Sequence, residues 1–498
     1  MHWIRRCATA IGALVMALVV LAFLVVGLRW LQVSFFYSPL GGERMAEKQA
    51  YLKGIDPVDP DRAPNFVVVF FDDLGWGDLS SYGNRLIRTP NIDRIASQGL
   101  RMTDFYSASP VCTPSRAALL TGRYPVRSLT HNHVFFAESS PIATARRMLG
   151  VGNEMPRDEI TLPEALRAAG YATGMIGKWH LGGIPGHLPN DFGFDDYFGV
   201  LTSNDMQPLP VYRNTEVELV DETPRINMGA FRDEDSDVEP TGVDQRLLTR
   251  RYTEEAIRFL EENRERPFFL YLAHTFPHVP HFADPEHAGE SPAGLYGDVV
   301  EDLDRSTGAL VEAIERLDLS RDTLVLITSD NGADYNGSPG FLRGRKGDVY
   351  EGGQRVPMIA HWPGRVAAGR VSDAMAMNID LFPTLLAMAG IPGPSDRDID
   401  GQDLGPLLLA ASDAPSPHDL LFYFPVVRGD APAGARDARF KYLASTGDTG
   451  RDKAILSDVH LDQENHNLMR RYPDEAARIA DAVDAFARSL AENPRGWR

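Results

Sequence analysis

Two stretches of the chain, NFVVVFFDDLG from residue 65 and DTLVLITSDNG from residue 322, share one grammar. Each is an unbroken apolar run closed abruptly by hard polar groups, Asp72 and Asp73 in the first, Asp330 and Asn331 in the second. A run with no polar alternation has no solvent face. It suits a strand covered on both sides, the state of parallel strands in a sheet flanked by helices. Two further runs, in YATGMIGKWHLG and PFFLYLAHTFPHVP, end in Lys178 with His180 and in His274 with His278. All four put polar chemistry just past a strand's C-terminal end, the edge at which open α/β sheets bind their ligands.

Helical patterns lie between the runs, at 162–169, at 253–262 and within 296–317. In the last, Val300, Leu303, Leu310, Ile314 and Leu317 form a core-facing stripe. Beyond 394 the alternation gives way to two short strand-like segments, LLFYFPVV and ARFKYLAS, and a terminal helical pattern at 473–493. The expected fold is α/β: a large, mixed, mostly parallel sheet flanked by helices over 64–394, followed by a smaller C-terminal antiparallel sheet-and-helix subdomain over 395–498.

The N-terminus carries no charge across the 22 residues 7–28. As a helix this run covers about 33 Å, enough for a hydrocarbon core of about 30 Å. It predicts a transmembrane helix anchoring residues 1–37, with a Pro/Gly-rich linker at 38–63. A cleaved signal peptide has a shorter apolar region and a small-residue site, whereas Arg29 and Trp30 follow here. Arg5 and Arg6 favour a cytoplasmic N-terminus, so the body is expected outside the cytoplasm, periplasmic or extracellular. A formal charge of -19 argues against nucleic acid as a partner. An anionic substrate would need a locally positive pocket, in a chain with lysine only at 48, 53, 178, 346, 441 and 453.

If the two acidic strand ends are neighbours, Asp72, Asp73, Asp330 and Asn331 offer four hard oxygen ligands, a set for Ca²⁺ or Mg²⁺ rather than zinc. Arg116, Lys178 and Lys346 would turn that site positive. The chain has two cysteines, and Cys7 lies in the apolar N-terminal run, so Cys112 has no disulfide partner in the body. It stands before Pro114, a favoured first-turn residue, at the head of a helical segment whose amides suit an anion. Buried packing, a free nucleophile, a metal thiolate and a precursor of another group are all open to it. A thiolate matches a hard cation poorly, which favours conversion to an oxygen group.

Cys112-Thr-Pro-Ser-Arg116 with Leu120-Thr-Gly122 resembles the signature of the sulfatases, in which this cysteine is oxidised to formylglycine. The resemblance continues through GKWHLG, PHVP, SDNG and KGDVYEGGQRVP, the last containing Lys346 and Arg355. It is strongest toward the arylsulfatase and glycan-sulfatase branch, and it implies an alkaline phosphatase superfamily fold, a calcium ion on Asp72, Asp73, residue 112, Asp330 and Asn331, and a formylglycine-generating enzyme as maturation partner. The implied substrate is a sulfated small molecule or glycan. The aldehyde hydrate attacks sulfur, Arg116 holds it, Lys178 and Lys346 stabilise the sulfuryl oxygens, His278 with Lys346 protonates the leaving alcohol, and His180 takes the proton that releases sulfate. Arg345 departs from the pattern, which commonly has glycine there; it either adds charge near substrate or faces solvent.

Two rivals share these residues. Relatives with the same signature hydrolyse phosphonate monoesters or phosphodiesters, whose charge resembles that of a sulfate ester. A non-catalytic, membrane-tethered binding protein would keep the fold and leave Cys112 unmodified. The segment 201–239 is expected to border the pocket, with its aromatic residues packing either on substrate or within the fold.

Overall fold

The computed structural model describes residues 2–36, 41–132, 134–138, 140–149, 152–206, 208–221, 243–426, 429–444 and 453–498. The main sheet is built from β1 (Asn65–Phe71), β2 (Leu100–Tyr106), β3 (Ala172–Lys178), β4 (Asp196–Val200), β5 (Leu209–Arg213), β6 (Glu216–Asp221), β7 (Phe268–Ala273), β8 (Thr323–Ser329), β9 (Arg355–His361), β10 (Arg370–Ser372) and β11 (Ala376–Met377). Its order is β10-β2-β9-β8-β1-β7-β3-β4-β5-β6, with β11 beside β2. The central strands β8, β1, β7, β3 and β4 are all parallel, while β9, β5 and β6 run antiparallel to their neighbours.

The unbroken apolar runs are explained by burial on both faces. In β1 every residue is buried, with Phe66, Val68 and Phe70 in one core and Val67, Val69 and Phe71 in the other. The first core takes side chains from Cys112–Thr121, Leu162–Ala168 and Leu381–Met388; the second takes them from Pro90–Ser97, Leu248–Asn263 and Gly294–Arg316. Val300, Leu303, Leu310 and Ile314 of the expected stripe are buried in that second core, with Leu317 packed at its edge.

The smaller sheet is antiparallel, β12 (Leu421–Tyr423), β13 (Gly434–Arg436), β14 (Phe440–Leu443) and β15 (Ile455–Asp458) in sequence order. The helix Pro473–Glu492 covers it through Ala476, Ile479 and Val483. Buried ion pairs tie this sheet to the main body: Lys441 Nζ lies 3.0 Å from Glu351 Oε1, and Arg436 Nη1 lies 3.0 Å from Asp104 Oδ2.

Two N-terminal expectations meet a different outcome. Among the described residues no helix is long and apolar enough to cross a membrane, so the expected transmembrane helix is not carried by the structure. The backbone is helical over His2–Phe36. Within the segment read as a linker stands a helix, Met45–Lys53, whose Lys48 is buried against Glu164 at 2.6 Å.

Candidate active site

The four strands that end in polar motifs are adjacent, β8, β1, β7 and β3 in that order. Pairing of Phe71 with Ser329 places the next residues, Asp72 and Asp330, side by side. Cys112 opens the helix Cys112–Thr121 at the same edge, with Sγ 3.3 Å from Asp72 Oδ1 and 3.9 Å from Asp73 Oδ1. Ligand atoms of Asp72, Asp73, Cys112 and Asp330 all lie within 4.8 Å of one another, and all four residues are buried. Asn331 donates from Nδ2 to Asp73 Oδ1 at 2.7 Å, while its Oδ1 is buried without a partner. Three clustered carboxylates and an orphaned amide oxygen are the donor set a hard divalent cation satisfies.

Three cationic side chains face the carboxylates. Arg116 is fully buried and places Nε and Nη2 at 3.1 and 2.8 Å from Asp330 Oδ2, and Nη1 at 2.7 Å from the Lys178 carbonyl. Lys178 Nζ sits 2.5 Å from Asp72 Oδ2, and Lys346 Nζ 2.7 Å from Asp73 Oδ2. Lys346 is 23% exposed and marks the mouth.

Burial works to raise the Asp72 carboxyl, but Lys178 and Arg116 outweigh it and hold Asp72 well below the usual range. Burial, then the charge of Asp72, pushes Asp330 up to about 7, so Asp330 is the carboxylate left under-compensated. Burial, then Asp330 and Asp72, pushes the Cys112 thiol well above its ordinary value. That thiol stays protonated at neutral pH and is a poor nucleophile as it stands.

The histidines differ. His180 is buried with neither ring nitrogen partnered, and burial followed by Lys178 and Arg116 keeps its imidazole neutral, well below the usual value. Its backbone is left-handed at φ 60°, costly for a non-glycine residue, and is held there by its N–H to the Leu201 carbonyl at 3.1 Å and by the Thr113 hydroxyl, which donates to its carbonyl at 3.0 Å. His278 Nδ1 meets the Val279 carbonyl at 2.6 Å, which fixes that nitrogen as the donor and turns Nε2 toward Asp73, 3.8 Å away. His274 stays in the core, stacked on Phe71, and takes no part in this centre.

Two residues, one at the centre and one in the loops behind it, escape the motifs. Ser203 receives a hydrogen bond from Lys178 Nζ at 3.1 Å and lies 3.5 Å from His278 Nδ1. Its signal was the polar TSN that follows β4, the next strand along the sheet. Asp78 is buried and accepts from Gly75 N–H at 2.7 Å and Ser338 N–H at 2.8 Å, bracketing the loops after β1 and β8. Arg355 is structural, buried against Asp104 and Glu351. Arg345 Nη1 donates to the carbonyls of Asp334 at 2.5 Å and Gly337 at 2.7 Å, so it clamps a loop rather than simply facing solvent. Of the segment 201–239, residues 222–239, with the acidic FRDEDSDVE, lie outside the described residues; Tyr212 packs against the core.

Comparison with known proteins runs through the same positions. A family model described as Sulfatase matches residues 64–391, and one described as N-sulphoglucosamine sulphohydrolase, C-terminal, matches residues 343–476. The chain is 40% identical to the N-acetylgalactosamine-6-sulfatase of Mus musculus, the alignment covering 72% of this chain and 68% of that protein. It is 35% identical to the steryl-sulfatase of Mus musculus, covering 86% and 82%. The solved PsFucS1 sulfatase from Pseudoalteromonas sp. superposes with a TM-score of 0.72 at 26% identity, over 91% of this chain and 95% of that one. Since the family match spans every strand end that contributes to the centre, the chain belongs to the sulfatase family and is a sulfuric ester hydrolase on an alkaline phosphatase-like fold.

Proposed function

We propose that the chain hydrolyses sulfate monoesters of ring alcohols, with residue 112 carried as formylglycine and a calcium ion held by Asp72, Asp73, residue 112, Asp330 and Asn331. The observation that carries this is the meeting of Cys112, three carboxylates and three cationic side chains at one sheet edge. A divalent ion would leave those groups at a formal +2, suited to a monoanionic ester. Relatives named for a sulfated sugar and a sulfated sterol support the same reaction class.

Formylglycine supplies an oxygen nucleophile in place of an inert thiol, and calcium, or magnesium in its place, supplies charge opposite the sulfuryl oxygens. The chain's own residues do the rest. Arg116, locked on Asp330 and the Lys178 carbonyl, orients residue 112. Lys178 and Lys346, fixed on Asp72 and Asp73, add positive charge where it develops on the ester. His278 presents Nε2 to deliver a proton to the leaving alcohol, and His180, neutral and partnerless at both ring nitrogens, accepts the proton that accompanies sulfate release.

The test has two readouts. Mass spectrometry of the peptide bearing residue 112, from protein made alongside a formylglycine-generating enzyme, should show the aldehyde. Turnover of aryl sulfates should exceed that of phosphodiesters, vanish in chelator and return with calcium. Aldehyde-bearing, calcium-loaded protein that turns over phosphodiesters far faster would move the assignment to the phosphodiester class.

The same reading assigns 1–37 to a membrane anchor, 38–63 to the connection, 64–394 to the catalytic domain and 395–498 to a C-terminal subdomain, with the body extracytoplasmic. Its support is the uncharged stretch 7–28 and the exposed apolar side chains from Leu14 to Leu28. Release of the full chain into the soluble fraction by alkaline carbonate would refute the anchor.

A further inference from the structure

Among the described residues the most exposed large apolar side chain is Tyr335, at 91%. It sits in the loop that joins two residues of the active centre, Asn331 and Lys346, and its ring and hydroxyl have no partner among the described residues. The backbone around it is nonetheless held tightly. Arg345 Nη1 bonds the carbonyls of Asp334 and Gly337 on either side of it, Asn336 N–H bonds Asp334 Oδ1 at 2.8 Å, and Ser338 N–H bonds Asp78 Oδ1 at 2.8 Å. Lys346 N–H bonds the Ala333 carbonyl at 2.8 Å, and Ala333 is two residues from Tyr335, at most roughly 7 Å along the chain. The loop that carries this unpartnered ring is therefore tied through its backbone to Lys346, whose ammonium faces Asp73 in the centre.

We propose that Tyr335 is a specificity-determining residue, a platform on which a saccharide ring bearing or adjoining the sulfate ester stacks, and that Arg345 is the positioning residue that holds it at the rim. This rests on the sulfate-ester reading above and narrows its substrate to a glycan. The chemistry around the ring separates sugar from sterol. An exposed phenol ring matches the C–H face of a pyranose, and the neighbours of Tyr335 in the chain, Asp334 and Asn336, are polar. A sterol would need contiguous apolar walls. Arg345 gains a role that neither added charge near the substrate nor a solvated side chain would give it: one guanidinium nitrogen spans the two carbonyls that bracket Tyr335.

The experiment compares kcat/KM on three probes: a 6-sulfated N-acetylgalactosamine disaccharide, 4-nitrocatechol sulfate and a steroid sulfate, each normalised to the aldehyde content of residue 112. Tyr335→Ala should lower the disaccharide-to-nitrocatechol ratio about five- to tenfold, chiefly through KM. Tyr335→Trp should keep that ratio near wild type. Arg345→Gly should lower it as Tyr335→Ala does, with a melting temperature within about 2 °C of wild type, given that the clamp is made at the surface. A ratio within twofold of wild type in Tyr335→Ala overturns the proposal, as does a loss that falls on the steroid sulfate instead. Wild-type protein inert toward all three probes, with its aldehyde and calcium in place, overturns the sulfate-ester reading itself, an outcome distinct from either.

Discussion

Replacing Arg116 with methionine separates the electrostatic account of the centre from a merely steric one. The guanidinium is fully buried, makes two contacts to Asp330 Oδ2 and one to the Lys178 carbonyl, and lies 3.5 Å from Asp72 Oδ1. Methionine keeps much of the length and removes the charge. Breaking a buried pair from one side costs about 3–5 kcal/mol, because the other charge is left uncompensated. Proton uptake by Asp330, already raised to about 7, caps the loss near that range. With an unfolding entropy of about 2.1 cal/mol/K per residue over roughly 400 folded residues, the melting temperature should fall by about 4–6 °C in chelator. Calcium should return at least half of that deficit, since the variant has an unbalanced carboxylate that the ion can neutralise; wild type, with three cations against three carboxylates, should gain less. Aryl sulfate turnover should fall by about 10²–10³ even with calcium, because the ion does not restore the charge that orients residue 112. Thermal denaturation with chelator or calcium, paired with turnover normalised to aldehyde, reads both effects. An equal calcium-induced shift in the two proteins, or wild-type turnover in the variant, would refute the reasoning.

Thr113→Val should leave the Phe135 N–H and the His180 carbonyl without the hydroxyl that now bonds both. We expect a kcat about tenfold lower at nearly constant KM, with Thr113→Ser recovering most of it; a change confined to KM would contradict the assigned role of His180. Burial pulls the His274 imidazole down to about 3, against about 6.5 in an unfolded chain. Between those values the unfolded state binds a proton that the native state does not, so stability present above about pH 6.5 drains as pH falls. From this group alone about 2 kcal/mol is lost by pH 5. Denaturant titrations at pH 7.5 and 5 should show a smaller difference in His274→Asn than in wild type, and an unchanged difference would sink the assignment.

What could be read along the chain and what could not divide on a physical line. A parallel strand buried on both faces writes itself as a continuous apolar run, so β1, β3, β7 and β8 were legible, and each was legible together with the polar residues that follow it. Lateral information was not. That β7 lies between β1 and β3, and that Phe71 pairs with Ser329, are contacts across hundreds of residues with no local trace. Ser203 shows the consequence: its two partners, Lys178 and His278, leave different strands, and only their adjacency gives the hydroxyl a place in the centre. The helix Met45–Lys53 was hidden for another reason. It has almost no apolar stripe: its one fully buried side chain is Lys48, on Glu164, and Tyr51 and Leu52 near its end pack on the core, so neither periodicity nor composition separated it from a linker. Of the six lysines, Lys178 and Lys346 serve the centre, Lys48 and Lys441 are buried in ion pairs with Glu164 and Glu351. A buried ammonium is costly unless a carboxylate answers it, as one does for Lys48, Lys178 and Lys441, while the partly exposed Lys346 pairs with Asp73. In this chain lysine scarcity is therefore informative: four of the six lysines answer carboxylates, and Lys178 beside Asp72 is the case in which that pairing also sets the charge of the centre.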